Sequence, residues 1–461
     1  MSNEPLFANE FKRDPRVRQA KDLLIQALQE HQKDITSVRP PHSELIETYS
    51  ALIQSFNHIR GANLYFPYIS SGFGKGPLVE LLDGSIKYDM INGVGVHYWG
   101  HSHPDIISQS MEVVHNDTIM QGNLQQNIEA LEFCKLLKEA SGLDHCFLTT
   151  SGAMANENAL KVIFQNKFPA RRILAFEHCF AGRSLTLSQI TDKPAYREGI
   201  PLNLPVDYVP FFDIRHPEES TEHAVSILKN HLKRYPNDHA LFCFELVQGE
   251  GGAYAGSTPF FTALMHILKE HRIAIFIDEV QTFGRTSRLF AFQHFGLENF
   301  VDVVTIGKLS QVCATLYTHA FNPKPGLLSQ TFTASSAAIR IGHYIVKELL
   351  EGHFFGAEGR IAKIHERFVS HLIRLQELFP NILHGPFGLG GMVAFTVYGG
   401  DFKRTTQFIH DLFEAGVIGF IAGTHPFRVR FLVPVGALKD EDIDGVMHIV
   451  EEVLKASSKE G

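Results

Sequence analysis

Tryptophan is nearly missing from this 461-residue chain, with Trp99 its only copy, and cysteine is sparse. The five cysteines, Cys134, Cys146, Cys179, Cys243 and Cys313, are odd in number and scattered through apolar or motif contexts. Without metal-ligand spacing they speak against a disulfide framework or a zinc module, and buried free thiols in a reducing compartment are the expectation. Long apolar runs are missing too: none approaches the roughly 20 residues of a membrane-spanning helix. The opening MSNEPLFANEFKRDPR has no apolar leader core, so a cytoplasmic location is expected. Basic blocks are absent, and 42 Lys and Arg against 50 Asp and Glu leave a formal charge of -8. That balance argues against a nucleic-acid or membrane surface and for a small-molecule partner. No internal repeat or low-complexity segment is evident.

What is present is ordinary globular composition, 44% apolar and 20% charged, at a length that calls for two or three domains with a sizeable core. The chain is organised around residues 273–311. The run IAIFIDE at 273–279 reads as a strand buried on both faces that delivers Asp278 at its carboxyl end, the place where open α/β sheets keep their ligand sites. A second run, 301–306, reads as another buried strand and hands Gly307 and Lys308 to the same edge. One acid and one lysine then face one crevice. Taken alone, the pair reads also as a structural ion pair or as two solvated loop charges.

From the N-terminus, Asp14-Pro15 reads as a helix cap with a first-turn proline, and Val17, Ala20, Leu24 and Leu28 follow at helical spacing. After Pro40-Pro41 a second helix carries Leu45, Tyr49, Leu52 and Phe56 on one face; both helices are expected to cover a dimer or domain surface. The glycine-rich GFGKGP at 72–77 lacks the Ser or Thr of a phosphate loop and follows no buried strand, so it reads as a turn. Runs at 79–82 and 86–91, joined by Asp83-Gly84, form a hairpin. His101 and His103 in the following GVGVHYWGHSHP lack a third ligand, and no metal is expected. TTSGAMANEN at 149–158 opens a helix at a glycine, so the backbone at Gly152 and Ala153 with the helix dipole reads as a phosphate cup, and equally as a common Ser-Gly-Ala turn before a helix. RILAFEHCF at 172–180 reads as a strand leading to Phe180 and Arg183; by itself a phenylalanine at a strand end is usually core. An apolar strand at 240–247 closes on ELVQGEGG, which places Glu250 in its loop. The C-terminal part combines short strands at 384–398 and 427–433 with a helical repeat of Ile443, Met447, Val450 and Leu454, an α+β pattern.

In combination, DEVQTFGRT, LFAFQHFG, DVVTIGK and SQVC resemble the cofactor heart of the class III pyridoxal-phosphate aminotransferases. The GKxxQVC ending is most similar to the lysine 6-aminotransferase branch, beside the ornithine and 4-aminobutyrate members. Six motifs in the family's order cover nearly the whole chain beyond about residue 60, which is far more specific than any one of them. The resemblance implies an α/β architecture of fold type I. An N-terminal segment of helices and hairpin (1–110) would pack with the small domain, followed by a large cofactor-binding domain with a mostly parallel sheet (111–345) and a smaller α+β domain (346–461).

The cofactor implied is pyridoxal 5'-phosphate. By the same match Lys308 carries it as an aldimine, Asp278 holds the pyridinium nitrogen, Gln281 sits beside the phenolic oxygen, and Phe180 stacks on the ring. Gly152 and Ala153 lie at the phosphate, and Thr331 reaches the partner subunit's phosphate in a homodimer with a shared active site. Arg183 would hold a substrate carboxylate, and Glu250 would pair with Arg430 of VRFLVP. Several positions depart from the family pattern. DEVQTFGRT is one residue shorter than DEVQTGFGRTG, Ala153 and Met154 replace Thr and Glu, Ala181 replaces the common His, and Leu246 replaces a proline. Thr333 and Ala334 replace two glycines. Tyr98 and Trp99 fall where the family often lines its substrate entrance, and read equally well as packing. The activity implied is transfer of an amino group, from an ω-amino donor to the 2-oxo acid 2-oxoglutarate, by a ping-pong mechanism. Another pyridoxal-phosphate activity, such as an aminomutase or racemase, would keep Asp278 and Lys308; a catalytically silent binding protein would have no need of the lysine.

Overall fold

The computed structural model describes residues 6–457. The first five residues of the stretch read for a leader, and the last four of the C-terminal region, lie outside the described residues. Helix α1 (Pro15–His31) starts as expected, with Asp14 accepting the Arg16 N–H at 2.8 Å and Pro15 at the first position. Helix α2 (Ile46–Arg60) ends on Gly61 in the left-handed region. Neither is buried in the single chain: α1 has no buried residue, and α2 buries only Tyr49.

The glycine-rich stretch at 72–77 is a strand rather than a turn through most of its length. Strand β1 (Ser70–Lys75) pairs antiparallel with β2 (Leu78–Leu81), which pairs in turn with β3 (Ile86–Asp89). Glycine is there for close approach: a Cβ on Gly74 would lie 2.5 Å from the Cβ of His101. Gly72 and Gly76 take left-handed φ values of +87° and +57°, the first where the β1–β2 register shifts and the second where the chain turns into β2. The far edge of this small sheet is Val417–Ile418, parallel to β3, so the N-terminal hairpin is tied to the C-terminal part of the chain.

The central sheet has seven strands: β4 (His145–Thr149), β5 (Arg172–Phe176), β6 (Val206–Val209), β7 (His239–Phe244), β8 (Ala274–Glu279), β9 (Val303–Ile306) and β10 (Cys313–Tyr317). Their order is β4-β10-β9-β8-β7-β5-β6, and β10 alone runs against its neighbours. The apolar, unalternating runs reflect burial on both faces. In β8, Ala274 and Phe276 enter one apolar cluster while Ile275 and Ile277 enter the other. Helix α3 (Ile128–Ser141) precedes β4, and α4 (Gly152–Lys167) covers the first of those faces through Ala159, Leu160 and Ile163. Helices α5 (Pro217–Arg234) and α6 (Thr258–Glu270) cover the other, through Leu228, Phe260 and Leu264.

Helix α7 (Ser336–Glu351) leads into the C-terminal part, where α8 (Arg360–Leu378), α9 (Phe402–Ala415) and α10 (Asp440–Ser457) pack beside an antiparallel sheet. Its strands are β11 (Leu383–Leu389), β12 (Met392–Val397), β13 (Phe420–Gly423) and β14 (Phe427–Leu432), in the order β11-β12-β14-β13. The repeat of Ile443, Met447, Val450 and Leu454 is the buried face of α10. Among the described residues, no helix is long and apolar enough to cross a membrane.

Candidate active site

Strand alternation decides which way the acids point. Asp278 shares its face of β8 with Ala274 and Phe276, the face covered by α4; Glu279 goes to the other. Asp278 is therefore met by Asn156 of α4, whose Nδ2 donates to Oδ2 at 2.6 Å, while the Val280 N–H donates to Oδ1 at 2.9 Å. Thr305, opposite Asp278 in the β8–β9 register, donates to Asn156 Oδ1 at 2.7 Å and fixes that amide's orientation. Burial pushes the Asp278 carboxyl up to about 6, with Val280, Asn156 and the charge of Lys308 pulling it back. Glu279, also buried, accepts the Ala291 and Phe292 N–H groups at 2.7 and 2.8 Å and closes the following loop. That loop, one residue short of the family form, turns at Gly284 (φ +69°), whose N–H bonds Leu289 O at 2.7 Å.

Lys308 leaves β9 beside Asp278, with its backbone in the left-handed region at φ +57°, an uncommon state for a side-chain-bearing residue and one that clusters at functional sites. The turn is locked by Gln311, whose N–H bonds Lys308 O at 2.9 Å and whose side chain donates to Val96 O at 3.0 Å. Lys308 is half-buried rather than surface-facing. Desolvation, helped by the charges of Arg430 and Arg285, lowers its ammonium to about 8. An amine in that range is available as a nucleophile and as a base near neutral pH.

The start of α4 faces the same strand ends. Ser151 caps it by accepting the Met154 N–H at 3.2 Å, and Ala155 donates to Ser151 O. The amides of Gly152 and Ala153 are the ones a helix start leaves without an intrahelical acceptor. Gly152 packs tightly on β8's continuation, where a Cβ would lie 2.8 Å from Val280 Cγ1. The strand expected over 172–180 ends at Phe176, and Phe180, four residues beyond it, is held half-buried by Glu245, which accepts the Phe180 and Gly249 N–H groups at 3.0 and 3.1 Å. Arg183 is exposed, stacked on Tyr196 at 4.0 Å with Nη2 on its hydroxyl at 2.9 Å.

Arg430 is fully buried on β14, and its Nη2 donates to Glu250 Oε2 at 3.1 Å. Its Nη1 reaches Gln281 Oε1 at 3.5 Å, and its Nε has no hydrogen-bond partner among the described residues. Gln281 lies so close over Gly249 that a Cβ there would be 1.8 Å from Oε1. Asp278, Lys308, Gln281, Glu250 and Arg430 thus form one neighbourhood. Thr331 stands apart from it within the chain, exposed beside Phe332. Tyr98 and Trp99 pack: the Tyr98 hydroxyl donates to Gly284 O at 2.8 Å, and Trp99 lies against Gly436 and Phe354. His101 pairs with Asp89 at 3.1 Å and His103 caps the helix at Pro104–Met111, both structural roles.

These groups fit a pyridine-ring cofactor with a phosphate. A buried carboxylate raised by desolvation, held by neutral donors only, suits a cationic ring N–H. A lysine with a lowered pKa suits an aldehyde, and a glycine-opened helix start suits the phosphate. Fold and site together define a pyridoxal-phosphate enzyme of fold type I. More narrowly, the chain belongs to the class-III aminotransferases: the family model described as Aminotransferase class-III matches residues 66–454, and this family depends on pyridoxal phosphate. Among curated proteins the chain is similar to the acetylornithine aminotransferase of Methanocaldococcus jannaschii, 34% identical over 408 residues, 84% of this chain and 93% of that protein. The acetylornithine aminotransferase of Archaeoglobus fulgidus is 29% identical over 390 residues, 82% and 93% of the two chains. Among solved structures, the lysine aminotransferase from M. tuberculosis in the internal aldimine form has a TM-score of 0.78 and 22% identity, covering 88% of this chain and 99% of that one. The ornithine aminotransferase from Toxoplasma gondii ME49 has a TM-score of 0.78 and 21% identity, covering 90% and 96%.

Sequence reading passed over Asn156, Thr305, Glu245, Tyr196 and Lys193. Asn156 lay inside a quoted motif, and its position one helical turn beyond Gly152, on the face that meets the strand ends, was the available signal. Thr305 and Glu245 also lay inside quoted motifs, DVVTIGK and ELVQGEGG, without a role being read for them; Tyr196 and Lys193 carry no motif, and only the fold brings them in.

Proposed function

We propose that this aminotransferase moves an ω-amino group to 2-oxoglutarate in two half-reactions at one site. The relatives are named for acetylornithine, lysine and ornithine, each of which carries an amine at the far end of its chain. The observation that carries the reading is the pairing of a fully buried Arg430 with Glu250, a carboxylate on a short turn rather than on a strand. An ω-amino donor presents a neutral methylene where 2-oxoglutarate presents an α-carboxylate. A bare arginine would suit only the acceptor. Paired with Glu250, Arg430 is neutralised for the amine; with Glu250 turned aside, its planar fork is free for the carboxylate. Arg183 holds the distal carboxylate in both.

Bound pyridoxal phosphate supplies the electron sink. The Asp278 carboxylate, oriented by Asn156 and Thr305, would accept a hydrogen bond from the ring N–H and so keep that nitrogen cationic. The Lys308 amine would hold the cofactor, and its Nζ would move the proton from and back to the substrate carbon. Gln281, wedged over Gly249, would face the phenolic oxygen; Phe180 would back the ring, and the Gly152 and Ala153 amides would take the phosphate. Thr331 and Phe332, exposed in one chain, meet a second copy in a homodimer, with Thr331 reaching the partner's phosphate. The N-terminal 1–110, the central 111–345 and the C-terminal 346–461 act as the three parts of each subunit.

The test is a mixture of purified enzyme, 2-oxoglutarate and a panel of amines, assayed for glutamate. Glutamate with ω-amino donors, lost in Lys308→Ala, is the expected result. Substrate isomerisation without glutamate would instead identify an aminomutase or racemase.

A further inference from the structure

Glu250 has two cations. Its Oε2 accepts from Arg430 and its Oε1 accepts from Lys193 Nζ, each at 3.1 Å. All three groups are withdrawn from water: the side chains of Arg430, Lys193 and Glu250 are 0%, 13% and 19% exposed. Burial alone would raise the Glu250 carboxyl, but Arg430 and Lys193 together hold it below its ordinary value. The Lys193 ammonium also lies 5.5 Å from the centre of the Tyr196 ring, the ring on which Arg183 rests. Arg183, Tyr196, Lys193, Glu250 and Arg430 therefore form one continuous row between the two arginines assigned to the substrate's two carboxylates.

The backbone under Lys193 is fixed by local hydrogen bonds. Thr191, fully buried, accepts the Ala181 and Gly182 N–H groups at 3.0 and 3.3 Å and donates to Gly182 O at 3.0 Å. The Lys193 N–H bonds Thr191 O, and Pro194 opens a single helical turn beyond it. From that base the lysine extends a compact ammonium on a flexible stem. If Glu250 swung away from Arg430 with no other partner, a largely buried carboxylate would be left without a cation, which is strongly disfavoured. Lys193 removes that obstacle, because the carboxylate gives up one of two partners and keeps the other.

We propose that Lys193 is a positioning residue for substrate alternation: it holds the Glu250 carboxylate when Arg430 is released to a substrate carboxylate, and so sets how strongly the site takes a dicarboxylate. The proposal rests on the masking of Arg430 by Glu250.

The probe is glutarate, which is 2-oxoglutarate without its keto group, titrated into the cofactor-loaded enzyme and followed by the cofactor's absorbance. Lys193→Met is expected to raise the glutarate Kd about tenfold, and Lys193→Arg to stay within about threefold of wild type. In a Glu250→Ala background the same Lys193→Met change is expected to cost less than about threefold, since no carboxylate remains to be held. An equal loss in both backgrounds would make Lys193 a general attractor of anions and overturn the proposal, as would wild-type affinity in Lys193→Met. The masking itself is read separately from Glu250→Ala alone, which should bind glutarate at least as tightly as wild type. Weaker binding there would defeat the mask, whatever Lys193 does.

Discussion

At the scale of single residues, the site stores its chemistry in two displaced protonation equilibria. Asp278 is raised by burial from 3.8 to about 6. Without cofactor, the folded state therefore holds that proton more tightly than the unfolded chain. The sign follows: its contribution to stability is present below pH 4 and is lost as pH rises to about 6, above which the buried carboxylate is a constant cost. Cofactor-free Asp278→Asn is accordingly expected to be more stable than cofactor-free wild type at pH 7, by about 1–3 kcal/mol, with the gap closing towards pH 4. Denaturant titrations of both proteins across that range check this, and a wild type more stable at pH 7 would show that the carboxylate is already compensated. Lys308 is displaced in the opposite sense, from 10.5 to about 8. Only the neutral amine attacks an aldehyde, so the rate at which cofactor-free protein takes up pyridoxal phosphate should rise with a midpoint near pH 8. A midpoint above pH 10 would mean that Lys308 is an ordinary lysine.

At the scale of elements, the site is a meeting of strand ends with one helix start, and much of this was legible in the sequence. Apolar runs ending in Asp278 and Lys308 announced β8 and β9, because strands buried on both faces admit little else. Asp14-Pro15 announced the start of α1. The stretch at 72–77 misled because its glycines looked like turn residues, while Gly74 serves the close approach of His101 within β1. Tyr98 and Trp99 could be read two ways, since an aromatic beside a site looks alike in sequence whether it packs or lines an entrance. Lys193 and Tyr196 were invisible because their meaning depends on Glu250 and Arg183 arriving from distant segments. The helix start at Gly152, by contrast, was legible, and its proposed role at the phosphate is testable. In Gly152→Ala the new methyl must displace Val280 or the helix start by a few tenths of an ångström. Since alanine is the better helix former, the fold should change by less than about 1 kcal/mol. Pyridoxal-phosphate affinity, measured by absorbance titration, should fall about tenfold because the phosphate amides move. Unchanged affinity would mean that Val280 alone gives way.

At the scale of the whole molecule, apolar surface remains uncovered in the single chain: Leu45, Leu52 and Phe56 along α2, Leu124, Ile128 and Leu131 around the start of α3, and Phe332 beside Thr331. Faces of this kind are what a second copy would bury. Sedimentation at micromolar concentration should give twice the chain mass, and a monomer that transaminates at full rate would remove Thr331 from the partner's site. In the proposed function, one buried arginine serves two unlike substrates because Glu250 covers it for one and uncovers it for the other. Single-turnover measurements on Glu250→Ala test this most directly, following formation of the aminated cofactor from the ω-amine and then its discharge by 2-oxoglutarate. The amine half-reaction is expected to slow by about tenfold or more while the 2-oxoglutarate half-reaction is equal or faster. Equal losses in both halves would make Glu250 and Arg430 a fixed bridge between two parts of the fold and contradict the claim.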